Sequence, residues 1–126
     1  MINFFGINEQ YLNISNNINL SIQKVFSHKQ FIMGDEVRIF ENKIERYFKV
    51  KHCISCANGT DAISLVLKAW GIGYGDFVGV PAFTYVATAE AVRNVGAIPI
   101  FMDVNPNTFN IDKSEVKSLI NFLDLN

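Results

Sequence analysis

Asn58-Gly59-Thr60 stands where a short apolar run, Cys53-Ile54-Ser55-Cys56-Ala57, gives way to a helical pattern. The first N–H groups of a helix have no intrahelical partners, and the helix dipole adds partial positive charge there. Glycine lets the backbone approach a ligand closely, and Thr60 offers both an N–H and a hydroxyl, so the tripeptide is suited to hold a phosphate. The plainer reading is that Asn58 or Thr60 only caps the helix. A second candidate is Pro81-Ala82-Phe83-Thr84-Tyr85, at the end of an apolar run. Ligands of open α/β sheets collect outside the carboxyl ends of strands, and Tyr85 there could lay its ring on a planar cofactor or simply pack in the core.

Other chemistry is poorly supported. No Gly-Lys-Ser/Thr is present, which removes the phosphate-binding loop of nucleotide hydrolases. Gly71, Gly73 and Gly75 follow a helical pattern instead of a strand and lack dinucleotide-binding spacing, so they read as a helix-to-strand loop. Cys53 and Cys56 form a single C-x-x-C within an expected strand, whereas zinc needs further ligands and a redox pair a helix N-terminus. They read as buried thiols, and no metal is expected. His28 and His52 have no obvious partner in the sequence and read as surface or packing residues.

The elements that must position these groups follow from periodicity. Ile18, Ile22, Val25 and Phe26 predict an amphipathic helix from Asn17 to about Lys29. Val37, Phe40, Ile44, Tyr47 and Phe48 predict a second after Gly34-Asp35, with Glu36, Glu41, Lys43, Glu45 and Arg46 largely on its other face. Strands are expected at 53–57, 77–80 and 98–102, with helices from about 60, 84 and 112. Asp112 with Glu115 resembles a capping box. Strands alternating with helices give an α/β class with parallel strands and crossover helices. Residues 1–51 form an N-terminal helical segment, and 52–126 the start of a sheet domain within one partial domain.

Eleven Lys plus Arg against twelve Asp plus Glu leave no basic excess for nucleic-acid binding. No apolar run approaches the ~20 residues of a membrane span, and Met1-Ile2-Asn3-Phe4-Phe5 lacks a basic leader, so a cytoplasmic protein is expected.

Four ordered blocks resemble the DegT/DnrJ/StrS family of sugar-nucleotide aminotransferases. They are Phe31-Ile32-Met33-Gly34-Asp35-Glu36-Val37 with Phe40-Glu41; Cys53 through Asn58-Gly59-Thr60-Asp61-Ala62; Pro81-Ala82-Phe83-Thr84-Tyr85 through Glu90; and Gly96-Ala97-Ile98-Pro99 through Val104. The resemblance runs from Asn3 through Asp112. It implies the large domain of the type I fold of pyridoxal 5'-phosphate (PLP) transferases, of which this chain is the N-terminal part. Gly59 and Thr60 would hold the cofactor phosphate, and Tyr85 would stack on its ring. The implied reaction carries an amino group, with glutamate as donor, to a keto sugar nucleotide in surface polysaccharide, lipopolysaccharide or amino-sugar biosynthesis. The wording looks closest to the branch acting on UDP-2-acetamido-2-deoxy-3-oxo-glucuronate.

The family's Schiff-base lysine and the aspartate that pairs with the pyridinium nitrogen lie beyond the segment corresponding to residue 126. None of the eight lysines, Lys24 to Lys117, is given that role. The chain alone is therefore expected to be inactive, and a homodimer is expected only for a complete chain. Gly79 departs from the family pattern inside a strand and, with the end at Asn126, leaves a truncated non-catalytic remnant or a phosphate-binding module as alternatives.

Overall fold

The computed structural model describes residues 5–124, which fall into two compact units divided between Ser55 and Cys56. The Asn3 end of the family resemblance and the terminal Leu125-Asn126 lie outside the described residues.

The first unit contains α1 (Ile7–His28) and α2 (Asp35–Phe48). α1 begins ten residues before the predicted Asn17, because Ile7, Tyr11 and Ile14 extend the same stripe toward the N-terminus. The polar residues between them are accommodated within the helix. Ser15 and Ser21 donate their hydroxyls to the Leu12 and Asn17 carbonyls, at 3.3 and 2.8 Å. Lys29 ends α1 in the left-handed conformation, with its N–H on the Val25 carbonyl at 2.9 Å. Asp35 and Glu36 then place negative charge in the first turn of α2, where the dipole favours it.

Residues 53–57 do not form the expected strand. A strand needs a hydrogen-bonding neighbour, and α2 carboxylates occupy that position. Glu45 Oε1 accepts the Cys53 N–H at 3.0 Å, and Glu41 Oε1 accepts the Ser55 N–H and hydroxyl at 2.8 Å each. Both glutamates are half-buried, contrary to their expected place on the outer face.

The second unit is built from α3 (Gly59–Ala69), β1 (Phe77–Pro81), α4 (Ala87–Asn94), β2 (Ile98–Met102) and α5 (Lys113–Asp124). β1 and β2 pair in parallel, from Phe77 opposite Ile98 to Pro81 opposite Met102, and α4 makes the crossover between them. The expected parallel geometry is present, with two strands in place of three among the described residues. α4 starts three residues later than the predicted Thr84, because residues 82–86 first form a turn in which the Thr88 N–H reaches the Tyr85 carbonyl at 3.1 Å.

Leu67, Val80, Ala89, Val92 and Ala97 form the core, flanked by Ile72, Val78 and Val95. Alanines on the inner face of α4 let it approach closely, and Val92 is its largest fully buried side chain. Gly71 closes α3 with φ +76, a conformation that costs a β-carbon-bearing residue strain, and the Ile72 N–H returns to the Leu67 carbonyl at 3.0 Å. Asp112 starts α5 by accepting the Ser114 N–H at 2.8 Å and its hydroxyl at 2.6 Å, so the cap closes on Ser114 and not on Glu115 as a capping box would.

Candidate functional site

Asn58 carries the capping role at the start of α3. Its extended backbone (φ −161, ψ 174) places Oδ1 on the Asp61 N–H at 2.8 Å, and its carbonyl accepts the Ala62 N–H at 3.1 Å. The amide Nδ2 donates to the Asp61 carboxylate at 3.0 Å, which holds the turn's own negative charge. Among the described residues, the N–H groups of Gly59 and Thr60 have no partner, and neither has the Thr60 hydroxyl. Capping and donor availability, alternatives in the sequence, thus coexist on different residues. Space is open in front of the turn, since a Cβ on Gly59 would meet nothing within 4 Å, while Thr60 is half-buried.

Tyr85 follows β1 and is 79% exposed, and it lines an open pocket with Ala82, Phe83 and Thr84. Ala82 extends the ladder by donating its N–H to the Met102 carbonyl at 2.8 Å, and Thr84 and Thr88 hydroxyls meet at 3.1 Å across the α4 start. Beside them the rings of Phe83 and Phe109 lie 5.3 Å apart.

The fold brings these two groups to one end of the unit. Ser64, midway along α3, donates its hydroxyl to the carbonyl of Ala91, midway along α4, at 3.2 Å. The links leaving the C-terminal ends of the two helices also meet. A Cβ on Gly73 would lie 3.4 Å from the Val95 carbonyl oxygen, and one on Gly96 would lie 3.5 Å from the Tyr74 nitrogen. With middles and C-terminal ends adjacent, the helices run in the same direction. Their N-terminal ends, at Gly59-Thr60 and after Tyr85, therefore share a side. α4 connects parallel strands, so that side is the carboxyl end of β1, where α/β sheets bind ligands.

Of the remaining sequence candidates, Cys56 stands in the same turn, its thiol donating to the Asn58 carbonyl at 3.4 Å. Cys53 and Cys56 are free thiols, half-buried and exposed, so the expectation of two buried strand thiols does not hold; without a sheet neighbour nothing covers Cys56. Gly71, Gly73 and Gly75 lie in a loop, closed by Gly73 N–H on Asp76 Oδ2 at 2.8 Å. His28 does have a partner, Glu36 at 3.1 Å, because the turn after α1 brings the start of α2 back to it. Lys24 joins this pair at 3.4 Å. The Glu36 carboxyl lies below its ordinary range, chiefly through its own backbone N–H and then through His28. Among the described residues no His/Cys/Asp/Glu group could hold a metal, and no helix is long and apolar enough to cross a membrane.

A parallel α/β unit with unpartnered N–H groups at a helix N-terminus, on the same side as an exposed ring after a strand, has the architecture of the α/β class whose ligands lie at strand ends. The chain is a member of the DegT/DnrJ/EryC1/StrS aminotransferase family, whose model matches residues 12–122. It is 44% identical over 120 residues to UDP-2-acetamido-2-deoxy-3-oxo-D-glucuronate aminotransferase of Pseudomonas aeruginosa, covering 95% of this chain and 33% of that protein. A DegT/DnrJ/EryC1/StrS aminotransferase from Brucella abortus superposes with a TM-score of 0.89 at 42% identity, over 96% of this chain and 32% of that one. NtdA from Bacillus subtilis, solved with bound cofactor PMP, superposes with a TM-score of 0.80 at 33% identity, over 84% of this chain and 24% of that one. The chain thus spans about a third of the length of the curated relatives it matches. Its fold is the N-terminal part of the type I fold of PLP-dependent aminotransferases.

The donor set fits a PLP phosphate. Two main-chain N–H groups and a hydroxyl are unpartnered, the space at Gly59 is open, and Asn58 engages the neighbouring Asp61 carboxylate.

Proposed function

We propose that the protein containing this chain is a PLP-dependent aminotransferase acting on a keto sugar nucleotide, and that this chain supplies the phosphate end of the cofactor site. The observation that carries the reading is the pair of unpartnered N–H groups on Gly59 and Thr60 at the same end of the unit as exposed Tyr85. Gly59 and Thr60 bind the phosphate through their N–H groups, aided by the dipole of α3, and the Thr60 hydroxyl adds a third donor. Tyr85 offers its ring face to the pyridine ring. Asn58 holds the turn open by capping Asp61 instead of the phosphate donors. PLP, when bound, supplies the electron sink through which an amino group passes from donor to acceptor.

The 44% identity to the Pseudomonas aeruginosa enzyme supports a UDP-linked 3-keto sugar acid as acceptor and a role in surface polysaccharide synthesis, with glutamate as donor. The same reading includes a cytoplasmic homodimer for the complete protein.

Titrating the chain with PLP, followed by difference absorbance and by competition with inorganic phosphate, tests the site. We expect saturable binding that phosphate displaces. Thr60→Ala should weaken it about tenfold, the effect of losing one hydrogen bond to a charged group. Binding unchanged in both Thr60→Ala and Tyr85→Ala would place the cofactor elsewhere.

A further inference from the structure

In the first unit, the chain leaving α2 turns back and runs alongside it as residues 53–55. Glu45 meets Cys53 and Glu41 meets Ser55, so the later residue pairs with the earlier glutamate. The spacings match. Side chains four apart on a helix lie about 5–6 Å apart, and alternate residues of an extended chain repeat every ~6.6 Å with their N–H groups on one side. Two carboxylates on one face of α2 therefore present acceptors at the interval at which a strand presents donors.

We propose that Glu41 and Glu45 are positioning residues that form a two-carboxylate clamp, replacing a neighbouring strand along one edge of residues 53–55 and fixing their register against α2. Register is the property at stake, because a slip of one residue would put Ile54 and Cys56 on the carboxylates and turn every side chain of the segment to the opposite face. The Glu41 end is the stronger, since one oxygen takes both the N–H and the hydroxyl of Ser55. The clamp is one-sided. The amides of Ile54 and Cys56 have no partner among the described residues. This inference is independent of the cofactor reading, because it concerns only main-chain donors and two side chains of the first unit.

Residue-resolved amide hydrogen exchange on the chain tests it. Cys53 and Ser55 should exchange slowly and Ile54 and Cys56 fast. Glu45→Ala should release Cys53 alone and Glu41→Ala should release Ser55 alone, each by about tenfold or more, as expected for losing a bond to an ionised acceptor. Gln at either position keeps an Oε1 acceptor and should restore protection at its own amide, which a general loss of packing would not allow. Amides of α2 serve as the control for folding. Equal exchange rates at 53, 54, 55 and 56 in the unaltered chain, or Ala variants that leave Cys53 and Ser55 protected, would overturn the clamp. So would Gln variants that fail to rescue while α2 stays protected.

Discussion

The Asn58 side-chain oxygen sits 2.8 Å from the Asp61 nitrogen, and this one bond decides which donors of the α3 N-terminus stay open. By taking the Asp61 N–H, Asn58 satisfies the turn's third donor, while those of Gly59 and Thr60 stay unpartnered. Asn58→Ala should cost about 0.5–2 kcal/mol of stability, the usual loss at an N-cap, and Asn58→Ser, which keeps a capping oxygen without setting a second carboxylate against Asp61, should retain most of it. Urea unfolding measures both. A null effect of Asn58→Ala would show that the cap contributes nothing and that the turn is held by other contacts.

Gly79 leaves space that the end of the Met102 side chain fills. A Cβ there would lie 2.8 Å from both Sδ and Cε of Met102, which is 5% exposed. The departure from the family pattern thus leaves room for a buried thioether. Gly79→Val should destabilise the chain by about 1–3 kcal/mol through overpacking. Combined with Met102→Ala it should cost less than the sum of the two single changes, since contacting residues are coupled. Strict additivity in the double-mutant cycle would mean that the two side chains do not compete for space.

Asp112 makes the start of α5 acid-sensitive. The Ser114 hydroxyl, then the Ser114 N–H and then the Asn105 amide hold its carboxyl below the ordinary aspartate range. A carboxyl depressed on folding contributes stability that is present above the unfolded-state value of ~3.9 and lost as pH falls through the lower folded-state value. Helicity of α5, followed by NMR, should therefore fall over the interval below pH ~4. Asp112→Asn, which keeps an acceptor but no charge, should flatten that interval. An unchanged acid profile in the variant would assign the transition to another group.

Supplied with PLP, glutamate and a UDP-linked keto sugar, the 126-residue chain should give no amination. No lysine of the second unit stands in the first turn of α3. Lys68 lies in the last turn of α3, about 12 Å along the axis from Thr60, and Lys113 and Lys117 are on α5. Losing a positioned base alone typically costs ~10²- to 10⁴-fold. Turnover abolished by Thr60→Ala would show that a lysine within this chain takes the catalytic role.

The sequence by itself determined the strands of the second unit and the order of its helices. β2 falls on Ile98–Met102 as read, and β1 extends its expected span by one residue to Pro81, because short apolar runs between glycine and proline breakers leave little choice. α3 and α5 were legible from their apolar spacing and polar starts, and Thr60 and Tyr85 were placed at the ends of elements, where the structure also has them. Four features were decided only by tertiary structure. Residues 53–57 have strand composition, but a strand is a pairing, and here its donors go to Glu41 and Glu45. Those glutamates read as an outer face because periodicity shows which residues are apolar, not which way the chain returns. Whether Asn58 or Thr60 caps α3 depended on the backbone angles at Asn58, and the placement of Gly59-Thr60 and Tyr85 on one side of the unit depended on α3 and α4 running in the same direction. Spacing along the chain carries no direction in space, so the site as a constellation exists only once the helices are packed.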